Sequence, residues 1–482
     1  MKELFIEGIT YFTEHLILLY ALFLTMVTLV LSAISIRFTR RHIRYGQVLE
    51  DQALLSSSLA PSISLVVPMY NEEKNIIDSI RSLLSLRYNH YDVVIVNDGS
   101  TDASLRHLID CFQLVEVAQQ ANGHLPTRKI MGVYRSTNKA FRKLLVIDKL
   151  NGGKADALNA GINFSSSRLV ASMDADSIIA PDALLKMVRP FLQQNKKRVI
   201  AAGAVVRIAN SCKVEDGSLV KVHLPTNLLA RFQTLEYLRV FLLSRIAWSK
   251  LNGLLIISGA FGLFDRDIVI KAGGYATDTV GEDMELVVRM RRYMHQIREK
   301  YSVFYVPDPL CWTEAPSTLK MLGRQRNRWA RGTAETLYRH RKACFNPRYG
   351  LMGWLSYPYW FFFEYLAPFV EVVGIMYFVY LLILGGINLP YFLALLASVY
   401  TLSVLLSIIA LIAEEFSYHK YSRRSDTASL LLTALLEPIL YHPIVLLNVL
   451  KGYMDLLFGK KSWGQMNRTG FTSKYERKKK AA

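Results

Sequence analysis

Cysteine is scarce in this chain of 482 residues. Cys111, Cys212, Cys311 and Cys344 are scattered and share no metal-ligand spacing. That excludes a disulfide framework and a zinc ribbon, and leaves reduced, buried thiols in a cytosolic domain as the expectation. The G-x-x-x-x-G-K-[ST] loop is absent, which excludes a P-loop nucleotide site. No internal repeat or low-complexity tract stands out. No small-residue cleavage site follows the first apolar run, so that run reads as an anchor and not as a removed leader. Negative charge is short: 39 Asp and Glu against 58 Lys and Arg leave a formal net charge of +19. Nucleic acid is set aside as a partner, because the basic residues sit largely beside apolar segments and in the tail YERKKK, where anionic lipid headgroups are the simpler partner.

Apolar residues are plentiful, at 51% of the chain, and unevenly spread. Residues 16–36 form an uncharged apolar run long enough to span a bilayer as a helix. It ends in RFTRRHIRYG, with Arg37, Arg40, Arg41 and Arg44. The positive-inside bias places that end in the cytoplasm and the N-terminus outside. Residues 1–45 are therefore expected to be an anchor and 46–60 a polar connector. From residue 61 short β-branched runs alternate with helical stretches. SISLVVPMY, YDVVIVNDGS, LLVIDK, LVASMDADS and VIAAGAVVRI read as strands, and KNIIDSIRSLLSL as a helix. Such alternation predicts a mainly parallel sheet covered by helices, with ligands bound beyond the carboxyl ends of its strands.

Apolar chain returns near Tyr349. Residues 352–384 are long and contain Pro368, Glu364 and Glu371. Residues 391–413 are uncharged. Residues 428–458 are broken by Pro438 and Pro443 and carry Glu437 and His442. Three simple spans would put the basic tail outside, against the bias, so one segment must be re-entrant or split. A split at the prolines is preferred.

Three acidic clusters fall at strand ends or in the loops after them: Asp98, the pair Asp174 and Asp176, and the GED that holds Glu282 and Asp283. A lone Asp there is as readily a turn or cap residue. An Asp-x-Asp after a strand can aim both carboxylates at one hard divalent cation, which also takes phosphate oxygens. NGGKADALNAG sets Lys154 behind two glycines, where backbone can approach a ligand and the lysine supplies a point charge. SGAFGLFDRD, with Ser258 and Gly259, reads either as a buried tight turn or as the wall of an acceptor site. Asp283 starts a helix, MELVVRM, where it serves the helix dipole or acts as a general base. GRQRNRWARG then crowds Arg324, Arg326, Arg328 and Arg331 around Trp329.

In this order the pieces resemble the membrane-embedded processive glycosyltransferases of family 2, which include the bacterial cellulose, poly-N-acetylglucosamine, chitin and hyaluronan synthases. Their pattern is an aspartate, an Asp-x-Asp, a (T)ED and a Gln-x-x-Arg-Trp on a GT-A fold. Here it stands as Asp98, Asp174–Asp176, Glu282–Asp283 and Gln325–Trp329, with Gly281 where threonine is usual. The resemblance implies an α/β GT-A domain with a Rossmann-like mixed sheet over residues 61–317. Interfacial helices would follow over 318–348, a transmembrane region over 349–458 and a basic cytosolic tail over 459–482. Tyr70 and Glu72 would cradle uracil. Asp98 and Lys154 would hold the nucleotide. Asp174 and Asp176 would bind the diphosphate, with Mg²⁺ or Mn²⁺ as cofactor. Asp283 would be the base, with Glu282 beside it. Gln325, Arg328 and Trp329 would sit at the acceptor channel, Arg328 also reaching the diphosphate, and the other arginines would touch lipid headgroups. SWGQMNRTGF is similar to a gating loop of hyaluronan synthases, in which Trp463 and Arg468 would close over the diphosphate.

The implied function is inverting, processive polymerisation of a UDP-sugar into an extracellular polysaccharide. The catalytic domain would lie on the cytosolic side of a multi-pass protein in the cell membrane. SGAFGLFDRD and TDTVGEDMEL are nearest the poly-N-acetylglucosamine group, so UDP-GlcNAc is the first expectation, with UDP-glucose and UDP-glucuronate open. Expected partners are the donor, the growing chain, membrane lipids and export or regulatory subunits. Glu364 and Glu371, seven residues apart on one helix face, would line the sugar channel or meet another subunit. The rivals are a non-processive transferase that adds one sugar to a lipid or small acceptor, and a nucleotide-sensing membrane subunit without activity.

Overall fold

The computed structural model describes residues 2–44, 54–55, 57, 59–74, 76–123, 125–192, 197–215, 217–421 and 423–460. Trp463 and Arg468 lie outside the described residues. The chain opens with the helix Lys2–Arg44. Its stretch His15–Arg44 is long and apolar enough to cross a membrane.

A ten-stranded mixed sheet follows. Its strands are β1 (Ile63–Met69), β2 (Tyr91–Asp98), β3 (Leu114–Glu116), β4 (Ile130–Ser136), β5 (Leu144–Lys149), β6 (Leu169–Met173), β7 (Ile178–Ile179) and β8 (Arg198–Ile208). A separate hairpin of β9 (Lys213–Glu215) and β10 (Ser218–Lys221) precedes β11 (Phe261–Asp265) and β12 (Tyr301–Thr313). The order is β3-β4-β5-β2-β1-β6-β11-β8-β12-β7. Strands β5, β2, β1 and β6 run parallel, so Lys149, Asp98, Met69 and Met173 end on one side of the sheet. The β-branched runs make these strands because they are buried on both faces, where continuous apolar sequence is needed. The helix Lys154–Phe164 covers β1 and β2.

Two expectations change. The sheet is mixed and not mainly parallel, since β11 runs antiparallel to both β6 and β8. SGAFGLFDRD is likewise not only a turn: its second half is β11, a central strand. Its small residues serve close packing, for a Cβ on Gly262 would stand 2.7 Å from Ile257.

After β12 the helix Leu319–Arg339 carries GRQRNRWARG along the helix His442–Leu457. Met352–Leu384 and Leu389–Glu415 are the second and third helices apolar and long enough to cross a membrane. Arg424–Leu440 and His442–Leu457 form a pair bent by 48° between Pro438 and Pro443. The apolar helices are tied to the sheet domain by buried ion pairs, Arg207 with Glu414 and Arg239 with Glu437. All four cysteines are free thiols, with Cys311 buried and the others half-buried.

Candidate active site

A cavity of about 650 Å³ opens beyond the strand ends. Lys154, Asp174, Asp176, Ser258, Gly259 and Asp283 line one part of it, and Gln325, Arg328 and Trp329 another. From there it continues between Thr28 of the first helix, Glu364 and Pro368, and Val445 and Val449. The structure thus brings nine predicted site residues to one cavity. Glu282 joins them through its partners, while Tyr70, Glu72 and Asp98 stand elsewhere.

Lys154 is the first residue of its helix. Its Nζ lies 2.7 Å from Asp174 Oδ1, 3.6 Å from Glu282 Oε1 and 3.8 Å from Asp283 Oδ2. Burial works against the ammonium, but Asp174, then Asp283 and Glu282, outweigh it and hold its pKa well above the usual lysine range. Burial likewise pushes the Asp283 carboxyl up to about 7; Lys154 opposes that rise, and Glu282 and Asp174 add to it. The Asp283 side chain keeps 23% of its surface open, facing the cavity. The close fit depends on Gly259, since a Cβ there would stand 2.5 Å from Lys154 Nζ and nearer still to Asp283 Oδ2.

Asp283 is the second residue of the helix Glu282–Gln296. The N-terminal part of that helix is fixed by two sets of partners. At its start, Thr279 Oγ1 donates to Glu335 Oε2 (2.7 Å) and the Val280 N–H to the same oxygen (3.0 Å). One turn on, burial opposes the Glu285 charge, but His340 and Arg289 hold its pKa down at about 2. Arg328 Nη2 donates to Glu282 Oε1 at 2.7 Å, and Glu282, Asp283 and Asp174 raise its pKa against burial. Arg328 therefore faces the carboxylates with its charge secured.

Trp329 is 44% exposed and borders the cavity. The Arg326 guanidinium packs behind it, 4.4 Å from the ring centre. Arg326 does not meet lipid headgroups. It is buried, donates to both oxygens of Glu236 (2.6 and 2.8 Å) and to Tyr441 Oη (2.9 Å). Arg331 is buried too, and donates to the Lys460 carbonyl. Both arginines face inward because partners remote in sequence supply acceptors there. Glu364 and Glu371 also part company: Glu364 borders the cavity, whereas Glu371 accepts from His442 Nε2 at 2.9 Å.

Tyr70, 43% exposed, and Glu72 follow β1. Their loop is tied to the one after β2, with the Asn71 N–H donating to Ser100 Oγ at 3.0 Å. Asp98 is buried at 3% exposure, and both its oxygens already accept hydrogen bonds, from Lys149 and the Gly152 and Gly153 N–H groups. Among the described residues no cluster of three or more His, Cys, Asp or Glu is placed to hold a metal by itself. Asp174 and Asp176 nonetheless share the cavity wall. Two carboxylates are the donor set a hard cation takes when substrate phosphates complete its shell, so the pair fits Mg²⁺ or Mn²⁺.

Sequence reasoning missed Lys149, Glu236, Gly332 and Glu335. Lys149 hid inside a strand pattern. The pair Gly281 and Gly332 carried a signal, a glycine where the motif usually has threonine, but its meaning needs the partner helix.

Residues 60–332 match the family described as glycosyltransferase like family 2, and residues 263–421 match a chitin synthase family. A poly-beta-1,6-N-acetyl-D-glucosamine synthase of Staphylococcus epidermidis is 28% identical over 277 residues, covering 58% of this chain and 56% of that protein. One of Staphylococcus aureus strain COL is 27% identical over 325 residues, covering 67% of this chain and 66% of that protein. The chain thus spans less than two thirds of either relative. A solved mannosyltransferase of Pyrobaculum calidifontis, in complex with GDP-Man and Mn²⁺, aligns over 91% of this chain and 100% of its own, with 17% identity and a TM-score of 0.49.

Proposed function

Because the chain belongs to the glycosyltransferase like family 2, we propose that it is a membrane-embedded hexosyltransferase that polymerises a UDP-sugar, UDP-GlcNAc first. It does so processively and with inversion, and passes the polysaccharide across the membrane. The mixed sheet is its GT-A core, facing the cytosol. One observation carries this reading: Asp283 and Asp174 both face Lys154, on a cavity that continues past Trp329 between the apolar helices.

In this mechanism Tyr70 and Glu72 cradle the uracil, and Asp98 serves the nucleotide through the Gly152–Gly153 turn that its carboxylate holds. Asp174 and Asp176 would hold Mg²⁺ or Mn²⁺, which when bound neutralises diphosphate charge. Lys154 and Arg328 meet the same charge from the protein. Trp329 gives its flat face to the apolar C–H face of the terminal sugar, Gln325 stands beside it, and Ser258 and Gly259 leave room for the acceptor. Asp283 takes the proton of the acceptor hydroxyl, and a carboxylate near neutral pKa is suited to that step. The oxygen attacks the anomeric carbon from the face opposite UDP. A C–O bond forms, the bond to UDP breaks, and UDP leaves with the electron pair. An α-linked donor becomes a β-linked product. Glu282 steadies Lys154 and Arg328. The test is whether Asp283→Asn stops transfer from a UDP-sugar while UDP still binds. An Asp283→Asn protein that makes product at near wild-type rate overturns the base assignment.

A further inference from the structure

Lys149 ends β5, and only 1% of its surface is exposed. An ammonium at such depth requires close charge partners. Its Nζ lies 2.6 Å from Asp98 Oδ1 and 2.6 Å from Asp156 Oδ1, and donates to the Leu150 carbonyl at 2.7 Å. Asp98 Oδ1 also accepts from the Gly152 N–H (2.9 Å), Asp98 Oδ2 from the Gly153 N–H (2.7 Å), and the Asp98 carbonyl from Asn151 Nδ2 (2.8 Å). Asp156, in the first turn of the next helix, also accepts from the Arg128 N–H. Lys149 and Asp98 thereby hold every residue of the connection from β5 to the helix that starts at Lys154: Lys149 bonds the Leu150 carbonyl, the Asp98 carbonyl takes Asn151, and the Asp98 carboxylate takes Gly152 and Gly153. Gly153, at φ +87°, makes the last turn into that helix. The next side chain is the one whose Nζ meets Asp174.

We propose that Lys149 is a positioning residue for the donor's diphosphate: through Asp98 and the Gly152–Gly153 turn it fixes Lys154, and it does not act at the nucleobase. Without the Lys149 ammonium, two buried carboxylates share the space of one cation, and like charges in that setting drive the loop open. Lys154 then loses its fixed place. The base end of the site, built from the loops after β1 and β2, keeps its ties, such as Thr101 N–H to Asn71 Oδ1 at 2.8 Å. The inference rests on the nucleotide-sugar reading above.

The test is a calorimetric titration of the full-length protein in detergent with UDP and with UMP, which lacks the outer phosphate. Wild type, Lys149→Met, Lys154→Ala and the double variant are compared. Lys149→Met is expected to lower the ratio of UDP to UMP affinity by about tenfold, the scale of a hydrogen bond to a charged group, with UMP affinity held within about twofold. The double variant should lose no more than Lys154→Ala alone, because both changes remove one interaction. Adding Asp156→Asn to Lys149→Met removes the like-charge pair and should recover part of the ratio, which decides the matter if Lys149→Met alone does not fold. Equal losses for UDP and UMP, or additive losses in the double variant, overturn the proposal. Wild-type protein that binds no UDP overturns the nucleotide-sugar reading and this inference with it.

Discussion

The backbone of Gly281 lies against the backbone of Gly332, so close that a Cβ on Gly281 would stand 2.6 Å from the Gly332 Cα. Gly281 has φ −112°, outside the left-handed region that favours glycine, so what excludes a side chain there is the neighbouring helix. This contact sets the distance between Asp283 and Arg328, which ride on the two helices. Gly281→Thr restores the residue usual in the motif, yet here it should force the helices apart. A displacement near 1 Å predicts a loss of about 10²-fold in turnover, read as UDP release with UDP affinity kept. Full activity would show that the contact does not position the base.

Asp283 sets the pH dependence. Burial pushes its carboxyl up to about 7, and it must be unprotonated to accept the acceptor proton. Protonation grows as pH falls, so kcat/KM should fall about tenfold per unit below pH 7 and level off above it. Asp283→Asn should lower turnover by about 10²- to 10⁴-fold and remove that acidic limb. A flat profile in the wild type from pH 5 to 8 contradicts the assignment.

Chelation should silence the protein and added Mg²⁺ or Mn²⁺ restore it, since Asp174 and Asp176 offer only two carboxylates against a diphosphate. Asp176→Asn should raise the metal concentration for half-maximal rate by about tenfold or more. Undiminished UDP release in excess chelator would remove the cation from the account.

Trp329→Ala should shorten the product more than it slows UDP release, because the ring faces the cavity and loses a stacking contact of about 0.5–1.5 kcal/mol. Product sizing on gels separates the two effects. Unchanged chain length would place the growing polymer elsewhere.

Arg326→Ala should destabilise the fold itself. It leaves Glu236 without its charge partner, with only the Tyr441 hydroxyl donating to it, in a largely buried setting, a loss of about 3 kcal/mol. The thermal inactivation midpoint in detergent should drop, and Arg326→Lys should recover part of it. A midpoint unchanged by both substitutions contradicts the inward role of this arginine.

Much of the sheet was legible because buried parallel strands need continuous β-branched sequence, as in LVVPM and VVIV. The strand β11 was not, since FGLFD looks like a turn until β6 and β8 supply its pairing. The carboxylates of the site were legible from their place after strands and from spacing along the motif. The inward arginines were not: Arg326 finds Glu236 and Tyr441 far along the chain in both directions, and charge density alone suggested lipid. Lys149 was hidden for the same reason. Its sequence neighbours describe a strand, while its charge partners come from β2 and from the following helix.

The most direct test uses purified protein in lipid with Mg²⁺ or Mn²⁺. UDP-GlcNAc, UDP-glucose and UDP-glucuronate are offered singly and in pairs, and UDP release and product length are followed together. The account predicts long polymer from one donor, UDP-GlcNAc, with release that stops in Asp283→Asn. Release that yields only single-sugar products would contradict processive synthesis, and no release from any donor would contradict the proposed activity itself.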